Sequence, residues 1–441
     1  LHFYQFGQAG HPAEGDFDMR YKIAILLALF SLMISASSGD YVLHIFGNAN
    51  LDSDIDEQDL AYLQGIIDGK EKQTDLADAD NNGQIDKSDI SAVERIINGT
   101  QTEITIVDSD NKTVTVRQPL ERLVIYTHQC AEIMQLLGVS DRVVGVRDTF
   151  EKQPNRFPKM SLVQNIGSGG EPDVEALLKT KPDAILAYTF YPTEESLDAK
   201  LPPEVKVLRF DCECSGIGPN AMREKVKLLG ILLGAREKAN EYLKWHDRCL
   251  SQVEEIINGI AQDNRVKVYL ESTPEGDKPL VSRTAIGTGH AAHKLVEMAG
   301  GVNIAAGHLP GYEDTPMEYG DIETEWVLSQ NPEVIVGRAM GKGIRPYENE
   351  NISLLQEYVK DIKSLPGFDN VSAALNNRIY VITNDYAVTP NYPSALMILA
   401  KWFYPDQFAD IDPQAAHQEY VNMMGLDYDV AKKGAFFFPK Q

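Results

Sequence analysis

The chain has 441 residues, 43 % of them apolar, which is room for two or three domains and a sizeable core. Its 65 acidic against 41 basic residues leave a net charge of −24, which argues against nucleic acid or an anionic membrane as partner. The four cysteines, Cys130, Cys212, Cys214 and Cys249, are too sparse to frame a fold, though they allow two disulfides in three pairings.

Residues 1–18 precede a possible start at Met19 and are expected to be an over-extended upstream segment. Met19-Arg-Tyr-Lys22, the apolar run Ile23–Ile34 and the small residues Ser35-Ala-Ser-Ser-Gly39 make a secretory signal over 19–39. The run falls short of the ~20 apolar residues that span a bilayer, and no second such stretch follows. No cysteine stands at the cleavage region to carry a bacterial lipid anchor. The expected address is therefore secreted, extracellular or at the cell surface. Sequons at Asn98, Asn111, Asn351 and Asn370 are compatible with it.

Next come two copies of one unit, thirty positions apart. Asn48-Ala-Asn-Leu-Asp-Ser-Asp-Ile-Asp-Glu-Gln-Asp59 leads into an amphipathic stretch ending at Gly69. Asp78-Ala-Asp-Asn-Asn-Gly-Gln-Ile-Asp-Lys-Ser-Asp89 leads into its counterpart ending at Gly99. Oxygen-bearing residues recur at loop positions 1, 3, 5, 9 and 12, with a β-branched residue at 8, the pattern a seven-coordinate Ca2+ requires. The expected ligands are Asn48, Asn50, Asp52, Asp54, Asp56 and Asp59 in one loop, and Asp78, Asp80, Asn82, Gln84 (through its carbonyl), Asp86 and Asp89 in the other. The first site should be the weaker, with Asn48 for an aspartate and Ser53 where glycine suits the turn. An acidic, solvated linker is the bland alternative, and the matched helices weigh against it. Between Gly47 and Thr100 stand 13 acidic and 4 basic residues, a net of −9 that bound Ca2+ would partly offset. This duplicated loop-plus-helix resembles a type I dockerin over about 47–100, which implies a cohesin-bearing partner. By that resemblance the contact positions are Glu57 and Gln58 in one copy and Lys87 and Ser88 in the other, with opposite charges and hence one preferred orientation.

From residue 103 the pattern becomes a short hairpin, Glu103–Val107 and Thr113–Arg117, and then alternating strands and helices. Strands are expected at Arg122–Tyr126, Arg142–Val146, Ala184–Tyr188 and Val205–Phe210, with helices at Ala131–Leu137 and Val174–Lys179. A helical stretch from about 220 to 258 would extend roughly 50 Å at about 1.5 Å per residue, with Gly234 placed to bend or break it. Alternation restarts at Val266–Leu270 and continues through helices at His290–Gly300 and Thr324–Ser329, strands at Glu333–Val336 and Arg378–Ile382, and a helix at Ser394–Phe403. The expected fold is α/β: two parallel-sheet lobes (104–215 and 265–438) joined by one long helix (216–258) and preceded by a small all-α calcium-loop domain.

Several stretches then carry a family likeness in the right order. They include Gln118-Pro-Leu-Glu-Arg-Leu-Val-Ile125, Leu136-Leu-Gly-Val-Ser-Asp-Arg-Val-Val-Gly-Val146 and Gly167-Ser-Gly-Gly-Glu-Pro-Asp-Val-Glu-Ala-Leu-Leu-Lys-Thr-Lys-Pro-Asp183. The second half adds Leu295-Val-Glu-Met-Ala-Gly-Gly-Val-Asn-Ile304, Thr324-Glu-Trp-Val-Leu-Ser-Gln-Asn-Pro-Glu-Val-Ile335, Asn377-Arg-Ile-Tyr-Val-Ile382 and Ala400-Lys-Trp-Phe-Tyr-Pro-Asp406. Residues 104 to about 438 resemble the substrate-binding proteins of iron-chelate and cobalamin ABC importers. The resemblance implies a non-enzymatic receptor that holds an iron chelate (siderophore or haem) or a corrinoid between its lobes and delivers it to a permease. It also implies that Glu175 and Glu325, one on each lobe, pair with permease arginines. Two solvated acids at helix starts would look the same.

Ligands of open α/β sheets sit beyond the carboxyl ends of the strands, so the loops there supply the candidates. These are Thr127, His128 and Gln129; Ser168, Gly169 and Gly170, whose N–H groups suit an anion; and Tyr188, Phe190 and Tyr191. In the second lobe they are Arg283, Tyr319, Arg338 and Tyr386. Cys130, Cys212 and Cys214 with His128 can hold a soft metal, and a disulfide from Cys130 is the equal alternative. A secreted enzyme on polysaccharide and a scaffold-associated structural protein remain the competing classes. Neither a nucleophile elbow nor a His-Glu-X-X-His motif is present for the former.

Overall fold

The computed structural model describes residues 41–210, 219–272, 282–311, 317–341 and 344–439. The upstream segment, the signal region, Cys212 and Cys214 lie outside them. The repeat folds as helix α1 (Glu57–Ile67) and helix α2 (Lys87–Ile97), each started by the same device. Asp56 and Asp86 cap the first turns while Asp59 and Asp89, three residues on, accept the cap residues' own N–H groups. Two orphan donors are satisfied at each helix start.

A hairpin of β1 (Glu103–Val107) and β2 (Thr113–Arg117) follows. The first lobe is then built from β3 (Leu123–Ile125), α3 (His128–Leu136), β4 (Val143–Val146), β5 (Gln164–Asn165), α4 (Val174–Lys179), β6 (Ala184–Ala187) and β7 (Lys206–Arg209). Its strands are parallel in the order β5-β4-β3-β6-β7. β3 and β6 are buried on both faces, so they read as unbroken apolar runs and not as alternation.

The long helical stretch is two helices, α5 (Pro219–Leu232) and α6 (Arg236–Asn258). Gly234 takes φ +63° between them, a left-handed turn that ends α5. The 23 residues of α6 run for about 35 Å at about 1.5 Å per residue, not the 50 Å of an unbroken rod. Tyr242, Trp245 and Cys249 on α6 are buried, and Tyr242 donates to the Pro390 carbonyl of the second lobe at 2.8 Å.

The second lobe runs through β8 (Lys267–Ser272), β9 (Ser282–Ile286), α7 (Ala291–Met298), β10 (Val302–Asn303), β11 (Tyr319–Glu323), α8 (Thr324–Gln330) and β12 (Val334–Ala339). It ends with α9 (Ser353–Lys363), α10 (Ser372–Leu375), β13 (Ile379–Thr383), α11 (Asn384–Ala387), α12 (Tyr392–Phe403), α13 (Pro413–Met423) and β14 (Phe437–Phe438). Its sheet corrects the all-parallel expectation. β8, β12 and β13 are parallel at the centre, but β9, β11 and β14 join antiparallel, giving a mixed sheet in the order β11-β9-β8-β12-β13-β14.

The repeat packs onto the first lobe. Leu43, Ile45, Ala49, Ile55, Leu63 and Val93 belong to one apolar cluster with Ile104, Ile106 and the first lobe's core. The chain at 44–46 also pairs with β1, where Phe46 N–H donates to Thr105 O and Val107 N–H to His44 O. No helix among the described residues is long and apolar enough to cross a membrane.

Candidate functional site

A cavity of about 360 Å3 opens between the lobes, lined by the residues that follow the carboxyl ends of five strands. From the first lobe come His128 and Gln129 after β3, Arg147, Thr149, Gln153 and Arg156 after β4, and Tyr188 after β6. The second lobe contributes Ala339 at the end of β12, Met340, Gly341 and Arg345 after it, and Thr383, Asn384 and Asp385 at the end of β13. The parallel core strands of both sheets therefore aim their ends at one space.

Charge dominates this space: three arginines against the single carboxylate of Asp385. Arg147 spends its N–H groups on Thr149 Oγ1 at 2.9 Å and on His128 Nδ1 at 3.5 Å, and sits 5.9 Å from the Tyr191 ring centre. Among the described residues, no carboxylate pairs with Arg147 or Arg345. His128 lies against Phe157 and Phe150, with Gln153 Nε2 3.0 Å from its Nε2. Burial, together with Arg156, Arg147 and Arg345, pushes the His128 pKa well below its ordinary value, so the imidazole stays neutral.

The floor is an ion network across the lobes. Arg156, 1 % exposed, donates through Nε to Glu132 Oε1 at 2.8 Å and through Nη1 to Gln153 at 3.1 Å, and pairs with Asp385 at 2.9 Å. The other Glu132 oxygen accepts from Tyr420 of α13 at 2.7 Å. Arg156 Nη2 is buried with no hydrogen-bond partner among the described residues, one donor left over at a cavity-lining side chain.

Of the residues singled out in the sequence, His128, Gln129 and Tyr188 meet in the cavity, where Tyr188 donates to Gln129. Phe190, 70 % exposed, stacks on Tyr188 at the rim. Gly169 lies flat on Tyr191, so close that a Cβ there would fall 1.7 Å from a ring carbon. Tyr191 and Gly169 thus form a wall beside Arg147, and the Ser168 hydroxyl accepts the Glu171 N–H. Gly170 is exposed, with open space where a Cβ would stand.

Other expected contacts lie elsewhere. Thr127 is fully buried as the cap of α3, accepting the Cys130 N–H. Arg283 is neutralised inside the second lobe by Glu271 and Asp361, because it lies within antiparallel β9 and not on a loop leaving a parallel strand. Tyr386 is 1 % exposed among His417, Phe436 and Phe437, its hydroxyl bonded to Ser394. Arg338 is buried against His290, 2.6 Å away, and Tyr319 sits half-buried in edge strand β11. None of these five lines the cavity. Cys130 and Cys249 are both buried.

Sequence reasoning missed Arg147, Arg156, Arg345 and Asp385. Arg147 was reachable, since it directly follows β4 as His128 follows β3. Arg156, nine residues further on in irregular chain, offers no local signal. Glu175 and Glu325 are exposed in the first turns of α4 and α8, and Glu175 pairs with Lys179 at 2.7 Å.

The two loops of the repeat differ in their fit to a hard divalent cation. In the second, Asp78, Asp80 and Asp89 bring carboxylate oxygens within 4.8 Å of one another, the only such group among the described residues. Asp78 also accepts Asn82 N–H at 3.0 Å and Gly83 N–H at 2.7 Å, with Gly83 at φ +89° making the sharp turn. That donor set fits Ca2+. In the first, the Asn48 amide nitrogen donates to Leu43 O at 2.8 Å and Asp52 O at 2.7 Å, and Asn50 donates to Asp52 Oδ2 at 2.7 Å. One carboxylate oxygen that would face a cation, Asp52 Oδ2, is spent on Asn50 there. The predicted partner-contact residues Glu57, Gln58, Lys87 and Ser88 are all exposed.

Comparison with known proteins places the two-lobe body. A family model described as periplasmic binding protein matches residues 123–386. The molybdate-binding protein MolA of Haemophilus influenzae is 22 % identical over 335 residues, covering 70 % of this chain and 87 % of MolA. YvrC of Bacillus subtilis, an uncharacterized ABC transporter substrate-binding lipoprotein, is 23 % identical over 312 residues, covering 67 % and 84 %. Among solved structures, the TroA-like periplasmic binding protein FepB from Veillonella parvula superposes with a TM-score of 0.62 at 19 % identity, over 76 % of this chain and 99 % of that one. Molybdate-bound MolA gives 0.56 at 19 % identity, over 73 % and 97 %. With a ligand cleft at the facing ends of its two sheets, the chain belongs to the periplasmic-binding-protein family, as the substrate-binding component of an ABC transporter and not an enzyme.

Proposed function

We propose that this protein is an exported receptor for an anionic metal species, an iron chelate in the first instance, held between the lobes and passed to an importer permease. The observation that carries the reading is the cavity's charge: Arg147 and Arg345 line it with no paired carboxylate among the described residues, beside Arg156, whose Nη2 has no hydrogen-bond partner among them although Glu132 and Asp385 offset its charge. Guanidinium forks suit carboxylate, catecholate or oxyanion oxygens. A partial relative, the iron-uptake system-binding protein of Bacillus subtilis, is 27 % identical over 183 residues and supports iron. The compact volume of about 360 Å3 favours a second reading, a small oxyanion of the kind MolA's name records. A corrinoid would need the lobes to part.

Glu175 and Glu325, one on each lobe, would meet permease arginines and so sense lobe separation. The repeat would hold one or two Ca2+ ions and bind a cohesin-like partner through Glu57, Gln58, Lys87 and Ser88, keeping the receptor at the cell surface. Bound Ca2+ would supply only a structural charge centre there, gathering Asp78, Asp80, Asn82, the Gln84 carbonyl, Asp86 and Asp89. The test is tryptophan fluorescence against ferric siderophores, haem, cobalamin, molybdate and free metal ions, alongside an absorption spectrum of natively purified protein. Saturable binding of an anionic member supports the reading; binding of none, or of a neutral or cationic one alone, overturns it.

A further inference from the structure

The two copies of the repeat share a sequence pattern but not an environment. In the second loop Asp80, Asn82, Gly83, Gln84 and Asp86 are all exposed, whereas their counterparts Asn50, Asp52, Ser53, Asp54 and Asp56 are all partly covered. Part of that cover is α5, which reaches Ser53 and Asp54. Lys227 Nζ lies 2.8 Å from the Ser53 carbonyl and 2.8 Å from Asp54 Oδ2, with its side chain only 16 % exposed. Around this contact, His44 Nδ1 sits 2.7 Å from Glu224 Oε1, Arg223 lies 5.6 Å from the Tyr41 ring, and Arg236 of α6 donates to the Ile96 carbonyl at 2.9 Å. Asn48, fully buried, uses both ends of its amide inside the loop.

We propose that the first loop, 48–59, is a cation-independent latch fastening the repeat to α5 through Lys227, so that the module takes a single divalent ion, in loop 78–89. The inference rests on the reading of the repeat as a calcium module and changes what that module is. A fixed ammonium at positions 6 and 7 of the loop opposes a second positive ion beside it. An amide at position 1 also removes a negative charge that the second loop retains. Half of the duplication serves as an intramolecular joint, and the repeat is a rigid cap on the first lobe instead of a swinging tether. Loss of the ion should then loosen residues 78–89 and leave the first loop seated.

The experiment is Ca2+ titration of the full chain by calorimetry, paired with amide hydrogen exchange read by segment with and without chelator. One ion per chain is expected, lost in Asp80→Ala and kept in Asp52→Ala, with chelator speeding exchange at 78–89 only. Two ions per chain, or chelator-sensitive exchange at 48–59, would overturn the latch. No bound ion at all would refute the calcium reading itself. The latch then stands or falls on Lys227→Met, which should speed exchange at 52–56 with the second loop unchanged, and its failure to do so sinks the proposal.

Discussion

Replacing Arg156 by methionine should be among the most damaging single changes in the molecule. Its guanidinium and the Glu132 carboxylate are 1 % and 0 % exposed, and methionine keeps the bulk while removing every donor. Glu132 would keep its bond from Tyr420 but lose its counter-charge in a site that water does not reach. Breaking such a pair from one side costs about 3–5 kcal/mol. The Asp385 contact adds less, because that side chain is 26 % exposed and solvent screens it. At about 2.1 cal/mol/K per residue, a body of roughly 400 residues loses ~0.8 kcal/mol per kelvin near its midpoint, so Tm should fall by ~4–6 °C in scanning calorimetry. Burial raises the Glu132 pKa even in the native protein, with Arg156 opposing it. Without Arg156 the carboxyl takes up a proton more readily, so the deficit should shrink as pH falls from 8 towards 5. The double variant Arg156→Met with Glu132→Gln, which leaves no lone charge, should recover at least half the loss. A Tm drop below ~1 °C, a pH-independent deficit, or a double variant as weak as the sum of the singles would refute the buried-pair account.

Other consequences can be measured alongside. Arg147→Ala or Arg345→Ala should each weaken binding of an anionic chelate by ~10–150-fold, the worth of one charged hydrogen bond, and leave neutral ligands unaffected in the same fluorescence titration. His290 and His417 are buried with pKa values pushed down to about 3. The unfolded chain protonates near pH ~6.5 while the folded one does not, so stability is full above that value and declines as pH falls below it. Each histidine should cost about 2 kcal/mol between pH 7 and 5, and urea unfolding of His417→Gln should lose that share of the slope; an unchanged slope would count against it. Charge reversal of Glu175 and Glu325 together should abolish uptake in cells with ligand affinity in solution intact; a loss of affinity would place these acids in the ligand site instead.

The alternation of short apolar strands with helices made the α/β class and the position of the cleft loops legible from sequence, because parallel strands buried on both faces leave unbroken apolar runs. The rule that ligands sit beyond carboxyl strand ends found His128, Gln129 and Tyr188. It failed for Arg283, which lies within β9: whether a strand joins a sheet antiparallel depends on distant pairing that no local pattern records. It failed for Tyr386 because one turn of helix after β13 carries that ring into the aromatic core.

By itself the sequence determined the duplication, the oxygen-rich pattern of the two loops and the strand–helix order, each legible from the order of residues along short stretches of chain. Only the tertiary structure decided which cavity arginines have no paired carboxylate among the described residues, that Arg156 bridges the lobes, and that a lysine from α5 contacts one calcium-type loop. Charge pairing and burial join residues 24 to more than 170 positions apart, such as Arg156 with Glu132 and Lys227 with Ser53. Two loops alike in sequence therefore end with unlike surroundings.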